Sequence, residues 1–110
     1  MSYLSQIAKT QLGKLPEVTG YVVTNDGGAL LDASGDLDGE ALGAVHVVAL
    51  QALSRCGDTL GLGSFGHFTV SGSRQSCLIT ARDHDVLGVY LDSAKPLAAF
   101  EKKLEPVLKR

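Results

Sequence analysis

The chain has 110 residues, a formal net charge of -2 at pH 7 and a sequence pI near 5.8. This length predicts one domain spanning residues 1–110, and 45% apolar with 20% charged residues is typical of a soluble globular protein. A net negative charge gives no electrostatic reason to expect a basic nucleic-acid-binding face, so we expect no nucleic-acid partner. Residues 1–4 lack the basic region and apolar core of a signal peptide, so we expect a cytoplasmic protein.

A short helix and a hairpin are predicted at the start of the chain. Apolar residues recur every three or four positions over residues 3–14, as in an amphipathic helix. Residues 18–24 are rich in β-branched and aromatic side chains, which favours a strand. Residues 25–28 (Asn-Asp-Gly-Gly) supply the chemistry of a tight turn, so residues 29–33 are predicted to return as the second strand.

A long central helix follows the hairpin. The carboxylate of Asp38 is a suitable N-cap, and Gly57 and Gly61 are candidate C-terminal ends. Gly43 in the helix interior costs up to about 1 kcal/mol relative to alanine. Because Gly43 lies among several alanines, we interpret these residues as a small-residue surface that permits close helix–helix packing.

Residues 41–53 of this helix carry only two polar side chains, His46 and Gln51, which lie well apart around the helix axis. A helix that is apolar on all sides needs burial on all sides. A small domain buries only about 60–70% of its unfolded surface, and the run is shorter than the roughly 20 apolar residues that span a bilayer. We therefore expect one side on the chain's own sheet and the other on a second subunit, in an obligate dimer without membrane insertion.

Three strands and a last helix complete the chain. Residues 64–72, 77–81 and 86–91 are predicted strands joined by three-residue turns, which make an antiparallel meander. The last helix has Pro96 near its first turn, and Pro106 is expected to weaken or end its final turn. The order α-β-β-α-β-β-β-α predicts an α+β sandwich, a five-stranded antiparallel sheet with helices on both faces.

The motifs that would carry cofactor or metal chemistry are weak. Residues 61–66 match G-x-G-x-x-G, but here the glycines follow a helix and open a strand, whereas the dinucleotide motif follows a strand and opens a helix. His46, His67 and His84 do not have metal-ligand spacing. We therefore predict no cofactor and no metal, and interpret His46 as a core or interfacial histidine and His84 as a solvated turn residue.

Nucleophilic catalysis is not supported by the residue pattern either. Cys56 and Cys77 fall in an apolar helix and an apolar strand, which is typical of buried thiols, although a bridge between them is conceivable. Ser64, His67 and Asp85 could be combined into a triad, but no nucleophile motif accompanies them. The prediction is a protein without a catalytic site.

The order of elements and several local patterns resemble the roadblock/dynein light chain family, and in particular its prokaryotic members. The resemblance extends from about Leu4 to Phe100, and profilin and longin domains share a similar architecture. The matching segments are the strand at 18–23, the turn at 25–28, the start of the alanine-rich helix at 35–40, Leu-Gly-Leu-Gly at 60–63 and the fifth strand at 86–91.

The resemblance implies a non-enzymatic homodimer in which the central helices pack antiparallel and the third strands pair edge to edge. It also implies that the partner is a small Ras-like GTPase in signalling, polarity or motility, with the protein as a regulator, including a GTPase-activating one, or as a scaffold. The exposed part of the paired helices is then the expected docking site. The interface residues implied by the resemblance are Ala41, Ala44, Val45, Val48, Gln51, Ala52, Arg55, Phe65, His67 and Thr69.

Two other classes of function remain open from the sequence. A small-molecule sensor of profilin-like or PAS-like architecture would need a pocket of several hundred Å³ with convergent polar groups. An enzyme of unrecognised type would show clustered titratable groups with strongly shifted pKa values in a cleft.

Overall fold

A computed structural model describes residues 3–35, 38–61, 67–82, 84–92 and 97–108. A short 3₁₀ turn, Leu12–Lys14, follows the first helix. The order of helices and strands confirms the predicted one. These elements are α1 (Tyr3–Thr10), β1 (Val18–Asn25), β2 (Leu30–Ser34), α2 (Gly39–Thr59), β3 (His67–Ser71), β4 (Gln75–Arg82), β5 (Asp85–Asp92) and α3 (Leu97–Leu108).

The five strands form one antiparallel sheet in the order β2-β1-β5-β4-β3. The central strands β1 and β5 pair over most of their length, with Val22 opposite Gly88 and Val23 opposite Leu87. Because helices cover both faces, these central strands are buried along most of their length, and their buried stretches do not alternate between buried and exposed residues. The short strands β2 and β3 form the two edges.

The helices divide between the two faces of the sheet, as predicted. Helices α1 and α3 cover one face, where Leu4, Phe100 and Leu104 are buried against strand residues such as Leu87 and Val89. Helix α2 covers the other face over a smaller apolar cluster that includes Val47, Ile79 and Val86, with Leu50, Phe68 and Cys77 packed against it. The chain therefore has the expected α+β sandwich architecture.

The central helix begins and ends through identifiable groups. The Asp38 carboxylate accepts a hydrogen bond from the Ala41 N–H at 3.3 Å, which confirms the predicted N-cap. The helix continues through Gly57 to Thr59, so the prediction that Gly57 could end it is wrong. Gly61, with a φ of 75°, adopts the left-handed conformation that commonly follows a helix C-terminus.

Other boundaries also differ from the sequence prediction, and the limits of β1, β2, β4 and β5 shift by one or two residues. Helix α1 ends at Thr10, and the 3₁₀ turn replaces its predicted last residues. Helix α3 continues past Pro106 to Leu108, because a proline in the last turn removes one hydrogen bond and leaves the preceding turns intact. Strand β3 begins at His67, while the predicted start of that strand and the residues around Pro96 lie outside the described residues.

No helix in the described part of the chain has the length and apolar character needed to cross a membrane.

Candidate interaction surface on the central helix

Helix α2 has one buried and one exposed side. Its buried residues include Gly43, His46 and Val47, which face the sheet. On the opposite side, Val45 and Val48 are 61% and 64% exposed, although both are large apolar residues. Such a contiguous apolar surface on a folded chain commonly marks an interaction site.

All seven interface residues predicted on α2 lie on this exposed side. At 100° per residue they occupy an arc of about 120° around the helix, and each of these side chains is exposed. The α2 flank is defined by these residues: Ala41, Ala44, Val45, Val48, Gln51, Ala52 and Arg55. The structure thus brings these residues together on one surface of the chain.

Gly43 does not belong to the α2 flank. A Cβ atom at this position would overlap the side chain of Thr24 on β1, so the glycine permits α2 to lie close to its own sheet. The interpretation of Gly43 as part of a helix–helix surface is therefore wrong. Ala41, Ala44 and Ala52 keep their place on the exposed side, because they lie about 100° to 180° around the helix axis from Gly43.

The predicted interface residues on β3 face the other side of the sheet. The His67 Nε2 atom lies 3.3 Å from Glu101 Oε2 on α3, and both His67 and Thr69 are half-buried. Phe65 lies outside the described residues. On the α2 side, Phe68 packs under the helix and Val70 is 54% exposed. Sequence reasoning missed Val70, although the period-2 alternation of a strand already separated it from His67 and Thr69.

The buried side of α2 holds a histidine in contact with a tyrosine. His46 is only 3% exposed, and its Nε2 is hydrogen-bonded to the Tyr90 hydroxyl on β5. Burial lowers the pKa of His46, because a charged imidazolium would lose its hydration there. The interpretation of His46 as a locally hydrogen-bonded core residue is confirmed.

The two cysteines occupy different environments and are both free. Cys77 on β4 is half-buried beside Tyr90, and burial raises the pKa of its thiol to about 11. Burial and the neighbouring Cys77 also raise the pKa of Tyr90. Cys56 is exposed next to the α2 flank, so the prediction that it is buried is wrong. It lies four residues after Ala52, on the same exposed side of the helix.

A cleft of about 340 Å³ adjoins the α2 flank. Val47, Leu50 and Val86 line it with apolar surface, and Gln51 belongs both to the cleft and to the flank. At the rim, His84 Nδ1 lies 3.3 Å from Asp26 Oδ2, and both side chains are largely exposed. The interpretation of His84 as a solvated turn residue is confirmed. Because the rim of the cleft is exposed, it is a surface cleft and not an enclosed cavity.

Four titratable side chains, those of Asp26, Arg82, His84 and Asp85, line this cleft together with its apolar residues. Within the described ranges, no group of three or more His, Cys, Asp or Glu side chains is arranged to hold a metal ion. The features that stand out are therefore the α2 flank and the cleft beside it.

Solved structures with the same fold come from several bacteria. The gliding protein MglB from Thermus thermophilus superposes with a TM-score of 0.77 at 15% identity, over 99% of this chain and 87% of that chain. Myxococcus xanthus MglB gives 0.75 at 16% identity, over 94% and 84% of the two chains. A roadblock/LC7 domain from Streptomyces avermitilis gives 0.68 at 15% identity, over 89% and 91%.

No protein-family model and no curated protein sequence matches this chain. The structural comparisons nevertheless cover nearly all of it. The chain therefore has the roadblock/LC7 fold, as its sequence resemblance implied.

Proposed function

We propose that this chain, which has the roadblock/LC7 fold, is a non-enzymatic dimeric regulator or scaffold that binds a small Ras-like GTPase. The observation that carries the proposal is the α2 flank, where Val45 and Val48 are exposed among alanines on a single chain. The fold supports the partner class, since the family resemblance implies small Ras-like GTPases. A neighbour of the same fold is a gliding protein, which supports a role in motility.

The chemistry of the α2 flank suits a second copy of this chain. A two-fold axis through Val48 would place Ala44 opposite the partner's Ala52, so small side chains meet where two helices must come close. The same axis would bring Glu40 near the partner's Arg55, and both side chains are exposed in the single chain. An isologous contact of this kind repeats each favourable pair twice.

The edge strand β3 extends the same proposed interface. Val70 is exposed on the α2 side of β3, next to the cluster that contains Phe68. Pairing β3 with the partner's β3 would continue the sheet across the dimer and cover an edge that otherwise invites association. His67, Thr69 and Phe65 remain proposed interface residues, and His67 and Thr69 would contribute mainly through the strand backbone.

The GTPase is proposed to dock on the exposed part of the paired α2 helices. If this chain activates the GTPase, it would act there by reshaping the switch loops of the GTPase. We assign no arginine finger among the available Arg55, Arg74 and Arg82: Arg55 lies on the α2 flank, whereas Arg82 lies 3.8 Å above the Tyr3 ring on the opposite face of the sheet.

A pull-down tests this proposal directly. The immobilised full chain is incubated with the Ras-like GTPases of its organism, each loaded with GDP or with a non-hydrolysable GTP analogue. Retention of one GTPase in a nucleotide-dependent manner is expected. Equal retention of the GDP-loaded and the analogue-loaded GTPase would favour a passive scaffold. No retention of any GTPase would contradict the proposed partner class.

The cleft beside α2 favours a second candidate, a small-molecule sensor. Its volume of about 340 Å³ lies within the range of small-molecule sites. If the chain is a sensor, a compound from a metabolite library is expected to raise its melting temperature. Leu50→Arg, which fills the cleft, is expected to abolish that increase. Nucleotide-dependent GTPase binding that survives Leu50→Arg would favour the regulator instead.

A further inference from the structure

The outer edge of β2 carries a hydrogen bond between a side chain and the strand's own backbone. Asp32 Oδ1 accepts a hydrogen bond from the N–H of the next residue, Ala33, at 2.9 Å. In the register of the sheet, Asp32 lies opposite Val23 and Ala33 lies opposite Val22 of β1. Backbone N–H groups of an edge strand point alternately towards the neighbouring strand and away from it. The Asn25 N–H of β1 donates to Ala29 O on the β2 side, so by this alternation Val23 faces Asp32 through the backbone and the Ala33 N–H points away from β1.

A buried tyrosine holds this carboxylate in place. The Tyr21 hydroxyl donates to Asp32 Oδ2 at 3.4 Å, and Tyr21 is buried on the α1 and α3 side of the sheet. Burial and the negative charge of Asp32 both raise the pKa of Tyr21. The phenol therefore stays protonated and remains a hydrogen-bond donor to the carboxylate.

The rest of β2 has the features of a strand that could pair with another. Leu30 and Leu31 are 40% and 48% exposed, so their apolar surface gains from being covered. A short exposed edge strand with apolar side chains is a template for strand addition unless something blocks it. The strand most available to it at high concentration is the same β2 of a second copy.

We infer that Asp32 closes the β2 edge of the sheet against addition of a β2 strand from a second copy of this chain. A strand arriving beside β2 would need the Ala33 N–H, which the carboxylate already occupies. Its backbone carbonyl oxygens would also approach a negative charge. Asp32 thereby restricts growth of the sheet to the other edge. This inference does not depend on the proposed function, because β2 and β3 lie at opposite edges.

Asp32→Val tests the inference, because valine removes the acceptor and favours a strand. Light scattering after size exclusion is expected to give at least twice the wild-type molar mass, rising with concentration, because each proposed dimer has two β2 edges. Asp32→Asn is the matched control, since its amide oxygen can still accept from the Ala33 N–H, and it is expected to keep the wild-type mass. Asp32→Ala serves the same test if the valine variant does not fold.

A second substitution identifies the edge that is used. Proline at position 33 has no N–H, so Asp32→Val combined with Ala33→Pro is expected to return to the wild-type mass. The inference is overturned if folded Asp32→Val keeps the wild-type mass, if Asp32→Asn associates as strongly, or if Ala33→Pro does not reverse the association. In the Val48→Asp background, where pairing through α2 is disabled, Asp32→Val is still expected to associate.

Discussion

Gly88 on β5 lies directly beneath the imidazole ring of His46 on α2, so that a Cβ atom at position 88 would overlap the ring. Gly43 makes the reverse arrangement one turn earlier, where α2 lacks a side chain and Thr24 of β1 occupies the space. These two contacts set the rotation of α2 on the sheet. They thereby determine that Val45 and Val48 point away from the chain's own core.

Gly88→Ala is expected to lower the free energy of unfolding by about 1–3 kcal/mol, because the added methyl group forces the His46 ring out of its place. Chemical denaturation measures the loss. Gly27→Ala is the control, since its Cβ would meet only the Asn25 side chain at 3.4 Å. In a His46→Ala background the Gly88→Ala substitution should cost much less. An equal cost in both backgrounds would show that the ring is not what the methyl group meets.

Val48→Asp is expected to weaken self-association by about 100-fold or more, because a charge would be buried without a partner at the centre of the proposed dimer. Sedimentation over a range of concentrations measures this. Leu31→Asp is the matched control, since Leu31 is apolar and exposed but lies at the β2 edge. A soluble Val48→Asp protein with the wild-type oligomeric state would mean that the α2 flank is not the interface.

Charge reversal tests the orientation of the two helices. Glu40→Arg and Arg55→Glu are each expected to weaken dimerisation several-fold, about 2–5-fold for exposed pairs, because each places like charges side by side. The double variant should recover most of the wild-type affinity, and the effect should fade in high salt. Losses that add in the double variant would exclude an antiparallel pairing centred on Val48.

The stability of the fold is expected to fall as the pH drops below about 6.5, the ordinary pKa of histidine. Burial lowers the pKa of His46 in the folded chain, so the unfolded chain binds this proton first and unfolding takes up a proton. The contribution of His46 to the free energy of unfolding is complete above pH 6.5. It is lost as the pH falls towards the lower pKa of His46 in the folded chain, and the free energy of unfolding then changes by at most about 1.4 kcal/mol per pH unit. Urea denaturation of wild type and His46→Gln over this range measures it. An unchanged slope in His46→Gln would assign the titration to another group.

Local chemistry explains why much of the fold could be predicted. Asp38 caps α2 through a hydrogen bond to a residue three positions away. The Asn25 side chain accepts from the N–H groups of Gly27 and Ala29, which closes the first hairpin. These contacts join residues that are close in sequence, so their residue types alone predict them.

A contact between distant residues accounts for the error at Gly43. The small neighbours of Gly43 favour a helix–helix surface, yet Thr24 is what it meets. Periodicity does not predict this contact, because the period gives the sides of a helix without saying what lies against each one. The error at Cys56 has another cause: an apolar helix favours burial, yet Cys56 lies four residues after Ala52 on the exposed side.

The sequence by itself determined the order of the elements, the α+β class and the excess of apolar surface on α2, since hydrophobic spacing and turn residues act over a few positions. Which side of α2 remains for a partner is implied by the family resemblance, and only the tertiary structure shows what selects it. That choice depends on shape, in the fit of His46 over Gly88 and of Thr24 under Gly43. Those residues are far apart in the chain and come together only when β1, β5 and α2 pack.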